Sequence, residues 1–173
     1  MPIVSVWDSK ELQGAIYAMK IASAGLRKEI YKRTREKVLP EWTEAVATQI
    51  GQRSYSTLGY ALIMKSTRVA VSQENIRLTA ATSTRKITGG NLIPARHYYL
   101  YEFGATPHVG EVRGRRGNTT YNYKRMLGKG LPPRTKYGRG AYKAANKIGT
   151  RALALWVSSI VQIYNDAARG KSL

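Results

Sequence analysis

The chain has 173 residues, 43% of them apolar, no cysteine, and 29 Lys and Arg against 10 Asp and Glu, giving a formal charge of +19. A single domain with a real core is expected at this length and composition, which excludes wholesale disorder. The lack of cysteine excludes a disulfide framework, a thiolate nucleophile and a cysteine-based zinc site, and the charge predicts an anionic partner: nucleic acid, an anionic membrane face or an acidic protein.

The opening stretch MPIVSVWDSKEL lacks the basic segment, apolar core and small-residue cleavage site of a signal peptide. Within it DSKEL predicts a helix start, with Asp8 as cap and Glu11 three residues on, as in a capping box. Leu12, Ile16, Met19, Leu26 and Ile30 then recur at helical spacing as one apolar stripe. Pro40 either kinks this helix or begins a second one as its first residue. Trp42, Val46 and Ile50 continue an apolar face, and Gly51 is a plausible stop. One long bent helix or a helix pair is expected over the first fifty residues.

The middle changes period. Val69 and Val71 alternate in one short run and Ile76 and Leu78 in another, with Gln73, Glu74 and Asn75 between them, which predicts a β-hairpin. Residues 82–90 predict an exposed connector. From Gly104 to Gly140 the chain is rich in glycine, holds three prolines and keeps no helical period. TTYNYK in its centre alternates as a strand does, so a long hairpin arm is expected within a single domain. Helicity resumes near Ala141. Ala145, Ile148, Ala152, Leu155, Ser159 and Ile163 form one seam, and Leu153, Trp156, Ile160 and Tyr164 form a second. No charge falls between Ala152 and Asn165, so this helix needs cover on more than one side. The sheet is one expected cover; the N-terminal helix or another subunit is the other. The run from Ala152 to Val161 is too short to span a bilayer, and a soluble protein made inside the cell is expected. The fold class is thus α+β: a long N-terminal helix or helix pair, a small antiparallel sheet with an extended basic hairpin arm, and a long C-terminal helix.

Enzyme chemistry has little to work with. His97 and His108 are the only histidines, neither sits in a His-Glu-x-x-His pattern, and no second carboxylate lies near Glu102 to make an acid/base pair. GKGLPPRT does not follow the order of a phosphate-binding loop, and the acids are too scattered for a metal cluster. No catalytic residue, metal or cofactor is expected. Nucleic acid is a better prospect. VRGRRGNTTYNYKR interleaves Arg113, Arg115, Arg116, Lys124 and Arg125 with Tyr121 and Tyr123, charges for phosphates and rings for bases. The plainer alternative is a solvated basic loop whose tyrosines pack on a neighbouring subunit. No helix-turn-helix, zinc-finger or RNA-recognition signature is present.

HYYLYEFGATPH, residues 97–108, condenses the aromatics into a corner. Tyr98, Tyr99, Leu100, Tyr101 and Phe103 can anchor it in the core or an interface, and Gly104 lets the chain turn out into the arm. Glu102 is well placed to accept hydrogen bonds from backbone amides or an arginine. A structural corner at Tyr99, Tyr101, Glu102, Phe103 and Gly104 is expected.

The order of segments, namely a long helix, LIMKSTRVAVSQENIRLTAATS, ARHYYLYEFGA, a basic hairpin, LPPRTKYGRGAYKAA and a final helix, resembles the tail-completion (neck) proteins of long-tailed bacteriophages with non-contractile tails. The matching motifs fall on Tyr101-Glu102-Phe103-Gly104, with Tyr99 just before, and on Leu131-Pro132-Pro133-Arg134. GRGAYKAANKI departs from the more apolar helix entry of that family. The resemblance implies a structural virion protein, assembled in the host cytoplasm, that forms a homo-oligomeric ring in the neck. It implies tail-terminator and head-side connector proteins as neighbours and phage DNA passing through the channel, with no membrane and no small-molecule substrate. Alternative roles are a tail terminator, a head-completion protein, or a non-specific DNA-binding protein. Leu153, Trp156 and Ile160 are the candidate subunit interface. Arg113, Arg115, Arg116, Lys124 and Arg125 are the candidate contacts for an acidic partner or DNA. A channel wholly lined with positive charge would grip DNA, so a split is expected: some basic residues face DNA, while the arm chiefly meets acidic surfaces of adjoining rings.

Overall fold

The computed structural model describes residues 9–52 and 54–170, and its architecture is α+β. Helices α1 (Lys10–Ile21) and α2 (Ala24–Gly51) lead the chain, followed by α3 (Ser56–Leu62) and a 3-10 turn at Met64–Ser66. Strands β1 (Arg68–Val71) and β2 (Ile76–Thr79) form one hairpin. Two helical turns, α4 (Pro94–His97) and α5 (Tyr99–Glu102), lead to the long hairpin of β3 (His108–Arg116) and β4 (Thr119–Leu127). Helix α6 (Ala141–Ala168) closes the fold. The two hairpins are separate two-stranded sheets.

The N-terminal region is a helix pair, but Pro40 is not its boundary. Pro40 lies exposed inside α2, and the helix continues through it. The break falls at Ala22 and Ser23, both extended, where the Ser23 hydroxyl accepts from the Leu26 N–H at 3.3 Å and caps α2. Asp8 lies outside the described residues; the side-chain cap of α1 is Ser9, whose hydroxyl accepts from the Leu12 N–H. The apolar stripe hides this break because its spacing runs on from Met19 to Ile30 in the second helix.

Helix α2 buries Ile30, Thr34, Val38, Trp42, Val46 and Ile50, every fourth residue, in one seam inclined to the helix axis. From Val38 onward that seam meets Ala144, Ile148 and Ala152 of α6, with Leu62 and Ile63, to form the larger core, while Ile30 joins a second cluster. The two 28-residue helices run antiparallel: Arg33 pairs with Asp166 at 2.8 Å, Lys37 with Gln162 at 2.6 Å, and Glu41 with Arg151 at 2.6 Å. The β1–β2 hairpin lies against the pair, pinned by the Trp42 indole N–H, which donates to the Thr79 carbonyl at 3.0 Å. A second cluster forms where Leu12, Ala15 and Met19 of α1 cover Trp156, Ile160 and Ile163 of α6. Tyr164 ties the same two helices, its hydroxyl donating to the Ala18 carbonyl at 2.6 Å. Among the described residues no helix is long and apolar enough to cross a membrane.

The second cluster corrects the expected subunit interface. Trp156 and Ile160 are 1% and 3% exposed and are covered by α1 of their own chain. Leu153 stays half-buried at the edge of the cluster, and Val161, further along the helix, is exposed.

Gly59 tests how tightly the core closes. A methyl there would meet the Tyr101 ring at 2.7 Å and the Ile50 side chain at 2.8 Å, both fully buried. Gly149, in the middle of α6, has nothing within 4 Å of the same position. Gly59→Ala should therefore lower the unfolding free energy by about 1–3 kcal/mol through overpacking. Gly149→Ala should raise it by about 0.5–1 kcal/mol through helix propensity. Urea denaturation of the two variants checks the opposite signs.

Candidate functional site

The expected corner is built around a buried carboxylate. Glu102 is 0% exposed at the end of α5, and its oxygens face the first turn of α6. The N–H groups of Arg139 and Gly140 donate to one oxygen at 2.7 and 3.0 Å, and the Ala141 N–H donates to the other. Helix α6 has no side-chain cap from its own flank, since Gly140 occupies the N-cap position. Glu102 supplies one from 37 to 39 positions upstream. A carboxylate suits this place because the amides at a helix start are unpaired and carry partial positive charge. The space is close: a methyl at Gly138 would meet a Glu102 oxygen at 3.0 Å, and one at Gly140 would meet the other at 3.2 Å.

The neighbouring residues lock the same crossing. Tyr101 is 0% exposed beneath Gly59, and Phe103 packs on the Tyr142 ring at a centroid distance of 5.4 Å. Gly104 takes a φ of 66°, open to glycine, and its Cα lies so near the Pro132 and Pro133 carbonyls that a methyl would overlap both. The Ala105 N–H donates to the Pro132 carbonyl at 2.9 Å, and the Thr135 N–H to the Phe103 carbonyl at 2.8 Å. The Arg139 guanidinium also donates to the Pro133 carbonyl. Tyr101-Glu102-Phe103-Gly104 and Leu131-Pro132-Pro133-Arg134, distant in sequence, are thus brought into direct contact. Tyr99 does not join them: it is 47% exposed, and its ring meets that of Tyr98 edge-on at a centroid distance of 6.4 Å.

The arm leaves from this crossing. Its strands pair in register from His108 with Leu127 to Arg116 with Thr119, closed by a two-residue turn at Gly117 and Asn118. Gly117 has a φ of 59°, as the first position of such a turn prefers. The register gives the arm two unlike faces. Val112, Tyr121, Tyr123 and Leu127 share one face with Arg116 and Arg125. Gly110 and Gly114 leave room on it for Leu127 and Tyr121 to lie across the partner strand, and the two tyrosine rings sit 5.7 Å apart. Val109, Glu111, Arg113, Arg115, Thr120, Asn122, Lys124 and Met126 make the other face. The five candidate cations are therefore divided, Arg113, Arg115 and Lys124 on one side and Arg116 and Arg125 on the other. All five are exposed.

The remaining polar groups are structural in their contacts. The His97 ring bonds at Nδ1 with the Ile93 backbone, 2.8 Å from its N–H, at the start of α4. His108 is exposed at the foot of β3, with Nδ1 3.2 Å from the Thr106 carbonyl. The cleft lined by Trp42, Ile63, Leu78, Tyr98 and Tyr142 reaches Glu102, but both carboxylate oxygens already accept backbone N–H groups. Among the described residues no three His, Cys, Asp or Glu side chains group to hold a metal ion. The chain matches no known family model, and no curated protein or solved structure shows significant similarity to it.

Sequence reasoning reached Glu102 as an acceptor but not the residues that donate. Gly138 and Gly140 in KYGRGAY were the available signal, since two glycines just before a helix allow a foreign side chain to approach its first amides.

Two predictions follow from the corner and its histidine. Glu102→Gln replaces one acceptor oxygen by a donor facing an N–H, which should lower the unfolding free energy by about 1.5–3 kcal/mol. Glu102→Ala, which leaves all three amides without this acceptor, should cost more; chemical denaturation with circular dichroism ranks the two. His108→Gln, at an exposed site, should leave the folded state and its stability within about 0.5 kcal/mol of native.

Proposed function

We propose that this chain is a structural component of the neck of a long-tailed bacteriophage, forming a ring that completes the tail and helps join it to the DNA-filled head. The observation that carries this reading is the arm. Two nine-residue strands extend about 30 Å and pair with each other alone, leaving Val109, Tyr121, Tyr123 and Met126 exposed. An isolated two-stranded hairpin is marginal in water, so a partner that covers these side chains would stabilise the arm. Its root is fixed in a rigid crossing, which suits an element that carries a defined contact away from its own body. The order of helices, corner, arm and proline turn is what the resemblance to neck proteins rests on, and a tail terminator or a head-completion protein is the alternative role.

In this reading the assembly performs no turnover, and specificity lies in docking. On the half of the arm nearest the body, the face that carries Val112, Tyr123 and Leu127, with Arg125 among them, meets an acidic-rimmed apolar surface on an adjoining ring protein. Leu153 and Val161 are what remains of the charge-free stretch of α6 for a neighbouring subunit. A charge of +19 makes free subunits repel one another until screened or partnered, so assembly belongs on the tail end rather than in solution.

Removal of the arm tests the reading. Replacing residues 109–126 by a short Gly-Ser turn should leave the helical circular dichroism of the body intact, because the arm's strands pair only with each other. Supplied to a phage lacking its native copy, the armless chain should leave DNA-filled heads and finished tails unjoined in electron micrographs, whereas the full chain should restore joining. Infectious particles formed with neither chain present would overturn the neck assignment.

A further inference from the structure

We propose that the distal half of the arm, residues 113–122, is a binding element for double-stranded DNA, which goes beyond the neck reading. This half holds Arg113, Arg115 and Arg116 and no acid; the arm's only carboxylate, Glu111, sits nearer the body and directly opposite Lys124. Arg115 and Arg116 at the tip therefore face solvent with no acid beside them, while Arg113 stands two positions beyond Glu111 on the same face. Between them stand Asn118, Thr119, Thr120 and Asn122, short donors and acceptors rather than apolar side chains.

Three features favour DNA over an acidic protein as the partner of this half. The first is composition. A protein interface has an apolar core, whereas protein–DNA interfaces are more polar and far more positive. The distal half offers only Tyr121 as a large apolar body, and that ring lies against Gly114 on its own arm. The second is the placement of charge. Arg113 and Arg115 lie two positions apart on one face, about 7 Å, while Arg116 projects from the other face at the tip. A flat protein surface meets one face of a ribbon; a groove walled by phosphates on both sides meets both. The third is size. Paired strands stand about 5 Å apart, and the major groove, about 12 Å wide, admits a two-stranded ribbon. The turn also holds one arginine in place, since the Arg115 Nε–H donates to the Gly117 carbonyl at 3.0 Å. That bond leaves the rest of the guanidinium free for phosphate.

The test compares two triple variants of the full chain that lose the same charge. One is Arg113→Gln, Arg115→Gln, Arg116→Gln on the arm. The other is Lys28→Gln, Lys32→Gln, Arg35→Gln, three exposed cations on α2. Binding to a fluorescein-labelled 30-base-pair duplex of arbitrary sequence is followed by anisotropy from 50 to 200 mM salt. Helical circular dichroism confirms that each variant is folded. Each arginine on a phosphate contributes about −0.9 to the slope of log affinity against log salt, so the arm triple should flatten the slope by about 2.7. Over this fourfold range the native chain should lose about 40-fold more affinity than the arm triple. The α2 triple should keep the native slope. Equal flattening by both triples would mean diffuse attraction to the charged body and would overturn the proposal. An unchanged slope in the arm triple would overturn it too, leaving these arginines to an acidic protein. The isolated chain is used throughout, so the outcome does not depend on whether heads join to tails.

Discussion

A single buried carboxylate sets the relation between the helical body and everything that projects from it. Burying Glu102 would cost several kcal/mol if it were left without partners, because a charge loses its hydration in the interior. Three backbone N–H groups and the positive end of a 28-residue helix offset that cost. The interaction has a geometric consequence as well. The start of α6 cannot shift without the corner at 101–104, and the corner cannot shift without the 132–135 segment bonded to it. Both feet of the arm therefore inherit their position from the core, through Tyr101 and Gly59 on one side and Ala144 and Ile148 on the other.

This divides the molecule into parts with different sources of order. The body is held by apolar burial along the α2–α6 seam and by α1 laid over Trp156. The arm has almost no such burial and relies on ladder hydrogen bonds and cross-strand contacts. Leu127 over Gly110 and Tyr121 over Gly114 are the most developed of these, and each covers a backbone stretch with no side chain of its own. An element ordered this weakly is adaptable at its tip yet anchored at its root. Recognition at a distance requires both properties.

Legibility in the sequence followed the range of the interactions. The α+β class, both hairpins, the start of α6 at Ala141 and the end of α2 at Gly51 follow from periodicity and turn chemistry, which act over a few residues. The break at Ser23 does not, because Met19, Leu26 and Ile30 keep helical spacing across it and the cap is one hydroxyl among many. Pro40 misleads for the opposite reason. A proline on the exposed side of a long packed helix loses one hydrogen bond, and the buried seam on the other side outweighs that loss. Trp156 and Ile160 were legible as apolar and in need of cover, but the choice between the N-terminal helix and another subunit was not, since α1 lies more than 130 residues earlier. Glu102 is the intermediate case. Its isolation among aromatics marks it as an acceptor, but the donors are set by a crossing of three segments that no local pattern contains.

The placement of charge then fits the placement of order. Half of the acids lie on α1 and α2, and acids across the body meet its cations: Glu29 of α2 and Asp166 of α6 with Arg33, Glu41 of α2 with Arg151, and Glu74 of the β1–β2 turn with Lys20. Such exposed or half-exposed pairs add little stability individually, but they lower the net field of the body. The arm has five cations and one acid, so a part of the chain with little neutralisation of its own is also the part with least packing of its own. At physiological salt the Debye length is about 8 Å, and the arm extends about 30 Å. Its tip therefore acts as a separate positive surface, screened from the body that carries it. A free chain gains nothing from concentrating unpaired charge on its most weakly ordered element. An anionic surface meeting the tip would neutralise it, which is the physical ground for proposing that the arm's charge serves a partner rather than the fold.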